Sequence, residues 1–376
     1  ISYSVTGVQT CALPICLNTP DAIYLAIKST KNFEYLFIQR GDPEREVWAG
    51  KRMTVEEAKE ICGISNVYFL DQFDEVLGNF CSTIDTIHAN IGHLHLSRPL
   101  SYAMHRLSPL RERFPQIVVK SIEDAITPQR KIKSEWELMQ LQRAIDITGK
   151  GILDILESAH SGMMEYELEA MLFYRMQRSG LKHWGFSPII ATGINAATLH
   201  NEKNECRIEA GELVLMDVGA SYMNYRADIT RCFPINGTFS ERQKQVYCAV
   251  LSVQKHIISL IKPGVELSEL NKTCKDLIAM ALIEIGLITD AEEVGKYYMH
   301  SVSHFLGMDT HDVGGRSAVL EAGNVITVEP GIYIPEERLG VRIEDDVLVK
   351  AEGFCVLSQN IPKEIHEIED IMKDRT

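Results

Sequence analysis

The sequence predicts a smaller α/β domain followed by a larger α+β domain. Strand-like and helix-like runs alternate over residues 17–130, which is typical of an α/β unit. Over residues 131–376 the helix patterns surround separate strand patterns, which favours helices that flank a curved antiparallel sheet. The length of 376 residues suits two domains or one large domain. We therefore place the domain boundary near residue 130.

Composition excludes several classes of partner. The formal net charge of −14 argues against nucleic acid or an anionic membrane as the main partner. No apolar run reaches the roughly 18 residues that a membrane-spanning helix needs. The nine cysteines include no Cys-x-x-Cys pair, which suits reduced thiols and predicts a cytoplasmic protein.

Residues 1–16 do not fit the pattern that follows them. They contain neither a basic segment nor a long apolar core, so they are not a signal peptide. They resemble a translated sequencing adapter. We therefore expect a non-native segment here, and an N-terminal domain over 17–130 that lacks its first elements.

The smaller domain is predicted to contain two rounds of strand and helix. Thr54 is a candidate N-cap, because acidic residues follow it in the first turn. Residues 121–130, which include Pro128, are expected to form a linker. The predicted elements are a hairpin over 21–40, a helix over 54–62, a strand over 67–70, a helix to 80, a strand over 88–96, a helix over 100–114 and a strand over 116–120.

In the larger domain, two capping boxes mark helix starts. They lie at Ser134–Glu137 and Ser240–Gln243, and each precedes an apolar helical pattern. Two more helices are predicted over 165–178, ending at Gly180, and over 267–285. Strands are predicted over 189–192, 213–216, 225–232, 324–328 and 340–349.

Two carboxylates lie on the predicted hairpin of this domain. Asp217 ends a short apolar run, and Asp228 lies in the middle of the predicted return strand. A buried carboxylate needs a cation, a set of hydrogen bonds or a proton. Ordinary salt bridges with Arg226 and Arg231 are one solution, and a bound metal is the other.

Downstream segments add an imidazole and two more carboxylates. His304 lies in a histidine-rich segment, Glu329 precedes Pro-Gly, and Glu344 lies in a predicted strand. Each residue has an ordinary explanation, and for Glu344 this is a solvated acidic run with Asp345 and Asp346. Four carboxylates stay ionised close together only if positive charge lies between them. Two divalent cations would supply about +4, which predicts a two-metal hydrolytic centre of manganese, cobalt or zinc.

These segments resemble the Xaa-Pro aminopeptidase (aminopeptidase P) family of pita-bread metallopeptidases. The resemblance covers residues 130–376, and the region from residue 17 is similar to the creatinase-like domain that precedes the catalytic domain in this family. The matching motifs are Thr198-Leu-His200-Asn-Glu, Leu215-Met-Asp217-Val-Gly, Ala227-Asp228-Ile-Thr-Arg231, His300-Ser-Val-Ser-His304, Val328-Glu329-Pro-Gly-Ile-Tyr333 and Arg342-Ile-Glu344-Asp-Asp.

The resemblance implies a role for each site residue. His200, His300 and His311 would surround the substrate. Arg342 would pair with a ligand carboxylate, and Tyr333 would donate a hydrogen bond. Glu329 would also carry a proton between the nucleophile and the leaving nitrogen. The implied ligands of two divalent ions, Mn²⁺ before Co²⁺ or Zn²⁺, are Asp217, Asp228, His304, Glu329 and Glu344.

The implied activity is hydrolysis of the bond between an N-terminal residue and a following proline, by a hydroxide that two metal ions activate. Peptides with proline at the second position would be the substrates, and the protein would form a dimer or a tetramer. A prolidase, which cleaves Xaa-Pro dipeptides, is the nearest alternative, because the metal motifs do not separate the two. A non-catalytic binding relative is disfavoured, because all five ligand positions are present.

Overall fold

The computed structural model describes residues 2–7, 22–28, 31–91 and 101–373, with the backbone alone for 2–7. The chain divides into two compact units, Ile1–Ile126 and Thr127–Thr376. Each unit has apolar clusters of its own. No helix in these ranges combines the length and apolar character that crossing a bilayer requires.

The first unit is built on a mixed sheet with the strand order β4-β3-β2-β1-β5-β6. Phe37 belongs to one apolar cluster, whereas its neighbours Leu36 and Ile38 belong to another, so both sheet faces are covered. The elements are β1 (Ser2–Gly7), β2 (Ile23–Ile27), β3 (Phe33–Ile38), α1 (Pro43–Ala49), α2 (Val55–Cys62), β4 (Asn66–Phe69), α3 (Phe73–Gly78), β5 (Thr86–Ala89), α4 (Tyr102–Arg113) and β6 (Val118–Ser121).

The predicted N-cap at Thr54 is confirmed in this unit. Thr54 caps α2, since its hydroxyl accepts from the Glu57 N–H while the Glu57 carboxylate accepts from the Thr54 N–H. Part of the strand predicted over 88–96 lies outside the described residues, together with the two histidines that alternate along it, His93 and His95. Within residues 1–16, β1 pairs with β2 and with β5. That these residues are non-native stays a prediction.

The linker predicted over 121–130 is wrong, because a helix, α5 (Glu123–Lys131), occupies most of it. Ser121 accepts a hydrogen bond from the Glu123 N–H at 3.1 Å. Acidic residues in the first turn and basic residues in the last turn complement the helix dipole. Pro128 removes one backbone donor, which this short helix tolerates.

The second unit surrounds small antiparallel sheets with helices, which confirms the predicted α+β class. The sheets have the orders β11-β8-β7, β12-β15-β16, β13-β14 and β10-β9. The helices are α6 (Glu135–Ser158), α7 (Glu165–Arg178), α8 (Glu241–Ser259), α9 (Leu267–Glu284) and α10 (Ile365–Lys373). The strands are β7 (Ile189–Thr192), β8 (Leu213–Val218), β9 (Ser221–Tyr222), β10 (Tyr225–Arg226), β11 (Ile229–Pro234), β12 (Val325–Val328), β13 (Gly331–Ile334), β14 (Leu339–Arg342), β15 (Asp345–Val349) and β16 (Phe354–Val356).

Two predicted strands are interrupted at a carboxylate. Ala227 and Asp228 separate β10 from β11, and Ile343 and Glu344 separate β14 from β15. The Asp228 N–H donates to the side-chain carboxylate of Asp346 at 3.2 Å instead of to a backbone carbonyl of a neighbouring strand. A break frees a side chain from the strict alternation of a strand, and such irregularities are common beside active sites. Asp228 and Glu344 can therefore point to the same side.

Candidate metal centre

The carboxylates of the second unit reach one place from different strands. Asp217 lies on β8, and its cross-strand partner on β11 is Thr230. Asp228 and Glu344 lie in the two strand breaks, and Glu329 directly follows β12. All five predicted ligands line one cavity of about 1040 Å³. The sheet edges thus bring together residues that are more than a hundred positions apart in the sequence.

His304 lies at the centre of this group. Its Nε2 is 3.3 Å from Asp228 Oδ2 and 3.4 Å from Glu329 Oε1. One ligand atom each from Asp228, His304 and Glu344 lie within 4.8 Å of one another. His304 Nδ1–H donates a hydrogen bond to the carbonyl of Phe305 at 3.0 Å, which leaves Nε2 facing the carboxylates. This is the orientation that a metal-binding imidazole needs.

Burial makes the ionised carboxylates unfavourable. It raises the pKa of Asp228 to about 6 and the pKa of Glu329 to about 7, with repulsion from neighbouring acids adding to both. The pKa of Glu344 is raised well above its usual range for the same reasons. Burial lowers the pKa of His304, but its hydrogen bond to Asp228 and the nearby carboxylates raise it to about 9.

The site fits divalent cations on grounds independent of its pKa values. Asp217 Oδ1 is buried, and no donor in the described part of the chain reaches it. Buried acceptors without a partner are rare in folded proteins. A metal ion would satisfy this oxygen and supply the positive charge that the neighbouring carboxylates need. Carboxylate oxygens with one imidazole suit manganese, cobalt or zinc.

The matches to known proteins fit this geometry. Residues 139–351 match metallopeptidase family M24, and residues 15–88 match the aminopeptidase P N-terminal domain. The chain is a member of metallopeptidase family M24. The Xaa-Pro aminopeptidase of Haemophilus influenzae is 32% identical to it, over 94% of this chain and 85% of that protein. Below, residues 139–351 are called the M24 domain.

Solved structures of similar proteins share the fold. Proline aminopeptidase P II from Yersinia pestis superposes with a TM-score of 0.88 at 30% identity, over 99% of this chain and 95% of that one. Zinc-substituted aminopeptidase P from Escherichia coli in complex with product superposes with a TM-score of 0.88 at 28% identity, over 99% of this chain and 94% of that one. The predicted fold class, a pita-bread domain preceded by a smaller N-terminal domain, is thereby confirmed.

Within the M24 domain, Arg342 connects the ligand group to a buried tyrosine. Its guanidinium donates to Asp217 Oδ2 at 2.6 Å, to Thr230 Oγ1 at 3.1 Å and to Tyr333 Oη at 3.0 Å. Tyr333 is fully buried and lies behind Arg342 and His300. It therefore contacts two residues that line the cavity, and it is not itself among the described residues of the lining.

The three predicted substrate histidines, His200, His300 and His311, all line the cavity. His300 Nδ1 is 2.9 Å from the Ser301 carbonyl, and its Nε2 is 2.8 Å from Tyr333 Oη. Burial lowers the pKa of His300 to about 4, so this imidazole is neutral at physiological pH. The ring of His311 lies edge-on to that of His304, with centroids 4.4 Å apart. Burial, followed by the neighbouring His304, lowers the pKa of His311 as well.

The alternative in which Arg226 and Arg231 form the salt bridges of the hairpin carboxylates is wrong. Arg231 donates to Asp345 Oδ1 at 2.7 Å, and Arg226 lies 3.7 Å from Asp309, so neither pairs with Asp217 or Asp228. The alternative of a solvated acidic run is also wrong, because Asp345 and Asp346 are fully buried. Asp345 accepts from Arg231, Gln254, Ser358 and Lys363.

Sequence reasoning missed two threonines that orient the predicted ligands. Thr230 donates to Glu344 Oε2 at 2.7 Å, and its oxygen also accepts from Arg342. Thr327 accepts from the His304 N–H at 3.2 Å through its hydroxyl, while its own N–H donates to the His304 carbonyl. The hairpin register contained a signal for Thr230, because it lies directly opposite Asp217.

Without metal, the protein is expected to lose stability as pH rises from about 7 to about 9. The folded protein holds the His304 proton up to a pKa of about 9, whereas an ordinary histidine loses it near 6.5, so this stabilisation disappears through pH 9. The raised pKa of Glu329, about 7, also lowers stability as pH rises, but between its ordinary value near 4.5 and about 7, so the fall above pH 7 comes mainly from His304. His300 is neutral in both states over most of this range. Thermal melts in a chelator across this pH range measure the effect.

Addition of Mn²⁺ is expected to flatten that profile, because cations replace the bound protons as counter-charges. A metal-free protein whose melting temperature does not change between pH 7 and pH 9 would contradict this reasoning.

Proposed function

We propose that this protein is a metal-dependent aminopeptidase that releases an N-terminal residue from a following proline. The observation that carries the proposal is the convergence of Asp217, Asp228, His304, Glu329 and Glu344 in one cavity. The similarity to Xaa-Pro aminopeptidases over most of their length supports the substrate class.

The metal-binding part of the proposal assigns these five residues to two divalent cations. Manganese is the proposed ion, because the ligands are mostly carboxylate oxygens with one imidazole. Once bound, the two ions would polarise the scissile carbonyl and lower the pKa of a water molecule. Arg342 and Thr230 would hold Asp217 and Glu344 in place through the hydrogen bonds described above.

Side chains of the cavity would transfer the protons and contact the substrate. Glu329 is the proposed proton carrier, because a carboxylate that touches the nucleophile can accept its proton and pass it to the leaving nitrogen. Neutral His300, oriented by Tyr333, and the neighbouring His200 and His311 would contact the peptide. The leaving group is the proline nitrogen, which must receive a proton as the C–N bond breaks, because it would otherwise leave as an unstable anion.

The cavity favours an aminopeptidase over the prolidase alternative. Its volume of about 1040 Å³ is at the upper end of pockets that hold drug-sized ligands, which are about 300–1,000 Å³. That space admits a peptide longer than two residues. The test compares Xaa-Pro-Xaa tripeptides with Xaa-Pro dipeptides, and the control is a tripeptide with alanine in place of proline. Cleavage of the dipeptide alone would favour a prolidase, and cleavage of none would overturn the proposal.

His311→Ala is expected to lower kcat by about 10-fold or more, while metal content stays at the wild-type level. His311 lines the cavity and contacts His304 edge-on, but it lies outside the proposed ligand set. Elemental analysis and peptide kinetics check both parts. The control is His366→Ala, which changes an exposed histidine on α10. Loss of metal from His311→Ala would mean that this residue is a ligand.

The oligomeric state and the compartment remain proposals. We infer a dimer or a tetramer located in the cytoplasm. Light scattering on the purified chain measures the oligomeric state.

A further inference from the structure

The segment that carries His200 is a connection with little regular structure. We call residues 193–206 the His200 loop. It joins β7 to the approach to β8, and it contains only a 3-10 turn, Gly193–Ala197. Leu199, His200 and Glu202 of this loop line the cavity. The position of His200 therefore depends on whatever fixes the two ends of the loop.

One buried carboxylate binds both ends. Glu165, the first residue of α7, is fully buried. Its Oε1 accepts from the Thr192 N–H at 2.9 Å, from the Thr192 hydroxyl at 3.0 Å and from Asn195 Nδ2 at 3.4 Å. Its Oε2 accepts from the Cys206 N–H at 2.9 Å. Four donors saturate a carboxylate, and here they come from opposite ends of one loop.

Asn204 makes a second attachment near the loop's end. It is buried, and its φ of 49° is one that asparagine tolerates better than most residues. Its Oδ1 accepts from the Ile190 N–H at 2.9 Å, and its Nδ2 donates to Glu169 Oε2 at 2.8 Å and to the Pro188 carbonyl at 3.0 Å. Glu165 and Glu169 are one helical turn apart, so a single face of α7 holds the loop.

We propose that Glu165 is a positioning residue that fixes His200 in the cavity by closing the His200 loop onto α7. The proposal rests on the proposed function, because it takes peptide binding as the role of His200. Glu165 is not among the described residues that line the cavity, so it acts only through the loop. Ordering a loop costs backbone entropy, and displacement of a binding group by about 1 Å can cost about 100-fold in rate.

Glu165→Gln tests this with little change of shape. A glutamine keeps one acceptor oxygen but turns an NH₂ group toward donors that the carboxylate accepted from. Either the Thr192 end or the Cys206 end of the loop must then lose its bond. Glu167→Gln is the matched control on the same helix, because Glu167 caps the Met164 N–H and glutamine preserves that cap.

The experiment is a double-mutant cycle with Glu165→Gln and His200→Ala in the metal-loaded protein. We expect Glu165→Gln to lower kcat/KM for an Xaa-Pro tripeptide by about 10-fold or more, with metal content unchanged. In the His200→Ala background the same change is expected to cost less than about 2-fold, because the group that it positions is absent. Glu167→Gln is expected to change kcat/KM by less than about 2-fold.

Backbone hydrogen exchange gives a second readout that does not depend on peptide cleavage. Glu165→Gln is expected to speed exchange over residues 193–206. Glu167→Gln is expected to exchange at the wild-type rate over the same residues. If Glu165→Gln does not fold, Asn195→Ala removes one bond of the same set and takes its place.

Additive effects in the cycle, or unchanged exchange in the loop, would overturn the proposal. If the wild type cleaves no Xaa-Pro peptide, the proposed function fails. The exchange experiment then still decides whether Glu165 closes the loop.

Discussion

Asp228→Ala is expected to lower kcat/KM by about 10³-fold or more and to lower the bound metal. Asp228 Oδ2 lies 3.3 Å from His304 Nε2, and its carboxylate belongs to the group with Glu344. Asp228 is one of the five proposed ligands, so its removal should weaken metal binding in the cavity. Metal ions contribute several kcal/mol to such reactions, and about 1.4 kcal/mol corresponds to tenfold in rate. Elemental analysis after dialysis and peptide kinetics measure the two effects.

The control for this change is Asp370→Ala, which removes an exposed aspartate that pairs with Lys373 on the same helix. It is expected to leave metal content and kcat/KM at wild-type values, because exposed ion pairs contribute little. If Asp228→Ala turns over peptide at a near-normal rate with full metal, Asp228 is not a metal ligand.

Arg342→Met is expected to cost about 3–5 kcal/mol of unfolding free energy. The substitution leaves the largely buried Asp217 carboxylate without its guanidinium partner and removes donors from Thr230 and Tyr333. Because Asp217 would also lose its orientation, kcat/KM is expected to fall by about 10–100-fold. Urea unfolding of the protein in a chelator measures the loss of stability, and peptide kinetics of the metal-loaded protein measure the loss of activity.

A matched substitution separates the effect of burial from the effect of losing an arginine–carboxylate pair. Arg242 makes a two-pronged pair with Glu337 near the surface, so Arg242→Met removes a similar bond in a wetter place. It is expected to cost less than about 1 kcal/mol. Equal losses for the two variants would show that the buried position of Arg342 has no special importance.

The parts of the fold that local signals encode were predictable from the sequence. The helices that begin after Thr54, Ser134 and Ser240 are confirmed with the predicted caps, because a capping box is complete within four residues. α5 was missed since Pro128 indicated a break, whereas the opposite charges at its two ends favour a helix. α10 was missed as well.

The interruptions that orient the site were not predictable in this way. Residues around Asp228 and Glu344 have strand-like patterns, and the partners that stabilise the breaks come from distant segments. The Asp228 N–H donates to Asp346, which is 118 residues away in the sequence. Likewise, Asp345 is buried because Arg231 and Lys363 neutralise it. No local pattern distinguishes such a buried pair from an exposed acidic run, because the distinction arises only in the tertiary fold.

The residues of the site were easier to predict from the sequence than the residues that hold them in place. The resemblance implied Asp217, Asp228, His304, Glu329 and Glu344 as one group, and the structure brings them to one cavity. That they bind metal stays a prediction. The residues that hold them, Thr230 and Thr327, and the carboxylate of Glu165 behind the His200 loop became visible only through their contacts.

Anomalous diffraction from crystals grown with Mn²⁺ tests most directly whether cations hold this acidic group together. Data on both sides of the manganese absorption edge locate and count the ions. We expect two anomalous peaks in the cavity. Each of the five predicted ligands is expected to contact at least one of them. Crystals that show no peak beside Asp228, Glu344 and His304 at saturating Mn²⁺ would contradict the account.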